Sequence, residues 1–194
     1  MSIKKVCIFC ASSQKIPKLY FQAASELAKI LVKNNITIVY GGGSVGLMGQ
    51  IADTTLEYNG KIIGIIPQFM FEREWGNSKI TELIIVKDMH ERKKKMIENA
   101  DAVIALPGGC GTLEELAEVI TLKQLGQFMK PIILLNTKKF YDPLITLYEN
   151  MIHENFMRDK HREIWQTIEN PSETITTIEN APEWHPSIID IAQI

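Results

Sequence analysis

The chain has 194 residues, of which 45% are hydrophobic and 23% charged, and its formal net charge is −2. That length suits one domain with a single substantial core, and the charge provides no bulk field to attract nucleic acid or an anionic membrane. Three cysteines make no disulfide framework, so a reducing, cytoplasmic setting is expected.

No signal peptide is read at the start, because Ile3 begins an apolar run that suits a strand better than a leader. Residues 3–10 are predicted as a buried strand, and 17–32 as a helix with Leu19, Ala23, Leu27 and Ile30 at helical spacing. A second strand, 36–40, runs into the glycine loop 41–46; a helix over 47–58 stops at Asn59 and Gly60. Strands follow at 62–66 and 83–86, then a helix over 88–99 and a strand over 102–106. Thr112 is predicted to open a helix reaching 125 or 126, followed by a strand at 131–135 and a helix at 141–154. An edge strand at 164–168 and a short helix at 172–179 complete residues 1–180 as one nucleotide-binding domain, with 181–194 as a loose tail. The apolar runs are too short to span a bilayer.

Strand–helix alternation with strands apolar on both faces predicts an α/β, Rossmann-like fold: a doubly wound, mostly parallel sheet with helices on both faces. Such sheets bind ligands at the carboxyl ends of their strands, where strand order reverses. The loops at those ends carry Ser12, the glycines Gly41, Gly42 and Gly43, and the 107–111 turn with Gly109, Cys110 and Gly111. Glycine lets backbone amides approach an anion closely at a helix N-terminus, although strand-to-helix turns also use glycine for steric reasons alone. The 41–46 loop fits a dinucleotide fingerprint poorly: it follows the second strand, and no acidic residue ends the next one. A Walker loop is absent too, since no Gly-Lys-Ser/Thr follows either turn.

Thr112 and Glu115 have the spacing of a capping box, so a purely structural role competes with a chemical one. Asp88 and Glu91 have the same spacing, and there the cap is the expected role. Arg92 and Lys93 lie near the start of their helix, against the dipole preference, which suggests that positive charge is wanted at that strand end. The alternative is a solvated face, the expected reading of the 93–95 lysine run as a whole. Cys7 and Cys10 have no second ligand pair and read as core or strand-end thiols rather than a metal site.

Taken together, PGGCGTLEE at 107–115, YGGGSVGLMG at 40–49, MHERK at 89–93 and FERE at 71–74 resemble the motifs of the LONELY GUY family, the cytokinin riboside 5′-monophosphate phosphoribohydrolases long labelled "possible lysine decarboxylase". The resemblance covers about residues 4–155. It implies Arg92 and Glu115 as a catalytic pair. It also implies nucleotide contacts from Glu74, Arg92, Lys93, Thr121 and the segment Gly109, Cys110, Gly111, Thr112, Leu113, Glu114 and Glu115. Cys110 departs from the family pattern, and no base accompanies it to make it a nucleophile.

The chemistry implied is hydrolysis of the N-glycosidic bond of an adenosine 5′-monophosphate, N6-modified in the cytokinin-activating case, without metal or cofactor. Glu115 would stabilise an oxocarbenium-like sugar and activate water. The expected partner is a small nucleoside monophosphate rather than nucleic acid or membrane, and the resemblance implies a homodimer or larger homo-oligomer. A general nucleoside monophosphate nucleosidase and a non-catalytic carrier of the same fold stand as alternatives.

Overall fold

The computed structural model describes residues 3–73 and 75–189. Among them, the strands are β1 (Lys5–Phe9), β2 (Thr37–Tyr40), β3 (Ile62–Pro67), β4 (Glu82–Val86), β5 (Ala102–Ala105), β6 (Ile132–Leu135) and β7 (Gln166–Ile168). They form one sheet in the order β4-β3-β2-β1-β5-β6-β7, with every pairing parallel. The expected doubly wound sheet is therefore present in an all-parallel form. Chain order reverses between β1 and β5, so the loops after these two strands meet at the switch point.

Strand periodicity explains the two-sided core. In β1, Val6 and Ile8 enter one apolar layer, while Cys7 and Phe9 enter the other. The helices are α1 (Lys18–Lys33), α2 (Gly46–Glu57), α3 (Gln68–Phe71), α4 (Met89–Ile97), α5 (Cys110–Gln124), α6 (Asp142–His153) and α7 (Thr174–Glu179). Ala24, Leu27, Ala28 and Leu31 of α1 join Leu47 and Ile51 of α2 in the first layer. Met96 of α4, Leu116 and Val119 of α5 and Ile152 of α6 fill the second. Full burial of a side chain such as Leu27 or Leu31 stabilises the fold by about 1.5–3 kcal/mol.

Three local expectations change. The helix predicted from Thr112 starts at Cys110, with Gly109 as its N-cap. The 172–179 helix divides into a 3₁₀ turn, Pro171–Glu173, and α7. The single turn α3 after β3 was not anticipated, because four residues carry too little periodicity to register. Of the segment read as a loose tail, 190–194 lie outside the described residues, and within 181–189 Trp184 is buried and donates its indole N–H to the Lys123 carbonyl at 2.7 Å. No helix among the described residues is long and apolar enough to cross a membrane.

Candidate active site

A cavity of about 600 Å³ opens at the carboxyl ends of the strands, within the usual size range of small-molecule sites. Ser12 and Ser13 after β1, Gly41 and Gly43 after β2, and Gly109, Cys110, Gly111 and Thr112 after β5 all line it. The first and last of these loops follow β1 and β5, the strands flanking the switch point, and the loop after β2 lies next to them.

The helices α2 and α5 both begin beside this cavity after glycine loops, and their amides are not equivalent. At α2, the N–H groups of Leu47 and Met48 both donate to the Ala11 carbonyl, at 3.0 and 3.3 Å. The glycines here serve the protein itself. Gly46 has φ +63°, and a Cβ on it would stand 2.4 Å from the Ser12 backbone; a Cβ on Gly41 would meet the Arg92 guanidinium at 2.1 Å. At α5 the situation is reversed. Gly109 makes no side-chain cap, and the first helical amide with an internal acceptor is that of Leu113, which donates to Gly109 at 3.0 Å. A Cβ on Gly109 or Gly111 would meet nothing within 4 Å. Open space and unspent amides at a 15-residue helix make this terminus the better anion cradle.

The capping-box alternative for Thr112 and Glu115 is overturned by where the helix starts. Thr112 is the third helical residue, and its side chain packs against Gly108, where any Cβ would lie 2.1 Å from the Thr112 hydroxyl. Glu115 is buried and pairs with Arg92 at 3.2 Å. Asp88 behaves differently. There the carboxylate accepts the Glu91 amide at 2.9 Å, and Glu91 reaches back to the Lys87 amide at 2.8 Å, a true cap.

Arg92 is also buried, and its fork is largely committed. Nε donates to the Ile65 carbonyl and one terminal nitrogen to the Gly41 carbonyl, both at 3.1 Å, while the other faces Glu115 and the Met89 sulfur. Little donor capacity is left for a phosphate, so Arg92 is built to fix Glu115. Burial pushes the Glu115 carboxyl up to about 7, against the opposing pull of Arg92 and with a smaller push from Glu114. A carboxyl that titrates near neutrality, lining a cavity beside a fixed cation, is equipped to exchange protons.

The remaining predicted residues divide. Gly42 turns its open side toward Ile65, Ile66 and Leu83 instead of the cavity. Lys93 is claimed by α5: its ammonium pairs with Glu114 and, at 3.1 Å, with Glu118. Burial pulls the Lys93 pKa down, but these two carboxylates outweigh it and hold it above the usual lysine value. Leu113 is exposed on the first turn of α5, and Thr121 bonds back to the Ala117 carbonyl at 2.8 Å. None of Gly42, Lys93, Leu113, Glu114 or Thr121 lines the cavity. Glu74 lies outside the described residues.

Sequence reasoning missed the apolar wall, formed by Ile66, Met48, Met70, Met89, Met96 and Trp75. Methionines at helical spacing read as core, and nothing in the spacing alone distinguishes a core thioether from a pocket wall.

A family model described as possible lysine decarboxylase matches residues 48–178. One cytokinin riboside 5′-monophosphate phosphoribohydrolase of Arabidopsis thaliana is 42% identical over 91% of this chain and 77% of its own. A second from that plant is 42% identical over 97% and 85%. The chain belongs to the LONELY GUY family. The molybdenum cofactor carrier protein of Chlamydomonas reinhardtii shares the fold at TM-score 0.70, with 16% identity over 92% of this chain and 98% of that one. The older family description does not fit this cavity. Pyridoxal chemistry needs a Schiff-base lysine, and none of the described residues lining the cavity is a lysine. Lys93 faces glutamates, and Lys123 donates to the Lys130 carbonyl at 3.0 Å.

Proposed function

We propose that this protein hydrolyses the N-glycosidic bond of an N6-modified adenosine 5′-monophosphate, releasing the free base and ribose 5-phosphate. The observation that carries the reading is the buried Arg92–Glu115 pair, 3.2 Å apart, one turn inside a helix whose first amides are unspent. The phosphate rests on the amides of Cys110, Gly111 and Thr112. Glu115, held by Arg92, faces the ribose and stabilises positive charge at C1′ as the bond to the base breaks. The bonding electron pair leaves with the base; water supplies the new C1′ oxygen and gives a proton to Glu115, which hands it on to the departing base and returns to its ionised form. The relatives named as phosphoribohydrolases, at about 42% identity, support the same reaction. A carrier without turnover has no use for a buried carboxylate poised near neutrality.

The remaining assignments are a cytoplasmic setting and a homodimer, the latter consistent with exposed Val45, Phe69, Phe71 and Leu113 on elements that frame the cavity. The test is to incubate purified protein with AMP and with isopentenyladenosine 5′-monophosphate and to measure free base. Faster release from the N6-modified nucleotide is expected. Equal rates would favour a general nucleosidase, and binding without release would favour a carrier.

A further inference from the structure

Among the described residues the apolar wall contains one aromatic, and its surroundings give it a defined place. Trp75 lines the cavity yet is 54% exposed, whereas Trp165 and Trp184 are each 6% exposed. An indole held half in solvent at a cavity mouth costs hydrophobic free energy unless something covers it. The backbone from Trp75 to Asn77 is anchored. Gly76 forms an antiparallel bridge with Gly43, and the Asn77 amide donates to the Gly42 carbonyl at 2.9 Å. On its other side the Trp75 amide donates to the Met70 carbonyl at 3.3 Å. The Arg73 guanidinium lies over the indole, 6.0 Å from the ring centroid, a cation–π contact that restrains the ring.

Topology sets this residue apart from the anion cradle. Ile66, Met70 and Trp75 come from β3 and the connection to β4, while Gly109, Gly111 and Thr112 follow β5. Three strand spacings separate β3 from β5, roughly 14 Å. A nucleotide with its phosphate on α5 therefore directs its base toward the apolar side. We infer that Trp75 is a specificity-determining residue whose indole stacks on the base of the bound nucleotide, so that base recognition and phosphate recognition are carried by separate elements. This inference rests on the nucleoside monophosphate reading of the cavity, but not on turnover.

The test compares ligands with and without a base on the full chain and on Trp75→Ala and Trp75→Phe. AMP is expected to quench tryptophan emission in the wild type and to protect it from acrylamide, while ribose 5-phosphate does neither. Trp75→Ala should weaken AMP binding, and raise any KM, by about 10-fold or more, the range produced by losing one base–aromatic stack. It should leave the affinity for ribose 5-phosphate unchanged, and Trp75→Phe should restore most of the AMP affinity. Quenching that depends on Trp75, found without base release, supports the stack while removing hydrolysis. Equal weakening of AMP and ribose 5-phosphate in Trp75→Ala would overturn the inference in favour of a structural role. Emission that changes with protein concentration and not with AMP would overturn it in favour of a contact between copies.

Discussion

Arg92 holds Glu115 at 3.2 Å while its other nitrogens are tied to the carbonyls of Ile65 and Gly41. The cation is thus fixed by the ends of β2 and β3, and the carboxylate by α5, so the pair joins two halves of the sheet across the switch point. Burial holds Glu115 near 7, and the ionised form is the one that stabilises a sugar cation. Accordingly, kcat/KM should fall below about pH 7, and a pH–rate profile of the free enzyme checks this. Stability follows the opposite course. The folded-state pKa is raised above the unfolded value, so the Glu115 contribution is fully present below about 4.5 and lost as pH rises through about 7. Denaturant midpoints at pH 5 and pH 8 should show less loss at pH 8 in Glu115→Gln than in the wild type.

Replacing Arg92 should separate charge from geometry. Arg92→Lys keeps a cation but not the fork that reaches Ile65, Gly41 and Glu115 together, and a drop in kcat of about 10²-fold is expected. Because Arg92 pulls the Glu115 pKa down, Arg92→Gln should move the acid limb of the residual activity to higher pH. Steady-state kinetics across pH measures both.

The glycines make contrasting predictions. A Cβ at Gly41 collides with the Arg92 guanidinium at 2.1 Å, so Gly41→Ala should lower activity by displacing Arg92. At Gly111 a Cβ meets nothing within 4 Å, and alanine is the better helix former by up to about 1 kcal/mol. Gly111→Ala should therefore leave the melting temperature unchanged or raised, yet raise KM by crowding the phosphate. Thermal melts paired with kinetics distinguish a ligand glycine from a folding glycine.

Lys123 tests the tail. It is almost fully buried, donates to the Lys130 carbonyl and lies 5.4 Å from the Trp184 ring, and burial lowers its pKa to about 8. Keeping that ammonium charged costs stability at neutral pH, and the cost disappears as pH rises from about 8 toward the unfolded value of 10.5. Lys123→Met is expected to stabilise the protein at pH 7 by on the order of 1 kcal/mol, with the gain shrinking as pH rises from about 8 toward 10.5. Trp184→Ala should cost about 3–5 kcal/mol, measured by denaturant unfolding.

Much of the fold was legible because all-parallel strands are apolar on both faces, as in Val6 to Phe9, and because caps and stops such as Asp88 and Gly60 are local. The site was legible where residues belong to contiguous motifs: Ser12, Gly43, Arg92 and the Gly109 to Thr112 turn all reach the cavity. What could not be read depends on contacts distant in sequence. The resemblance named Arg92 and Glu115 together, but their direct buried contact at 3.2 Å, and the bonds that tie Arg92 to Ile65 and Gly41, came only from the fold. Lys93, adjacent to Arg92, is drawn away by Glu114 and Glu118. Trp184 docks through a carbonyl 61 residues away, which no tail composition reveals.

The most direct test of the central claim is product stoichiometry from isopentenyladenosine 5′-monophosphate, measured for the wild type, Glu115→Gln and Glu118→Gln. Free base and ribose 5-phosphate should appear in equal amounts from the wild type and Glu118→Gln. In Glu115→Gln both should slow by about 10²–10⁴-fold while the nucleotide still binds. Base release at an undiminished rate from Glu115→Gln, or release of phosphate without base, would contradict the account.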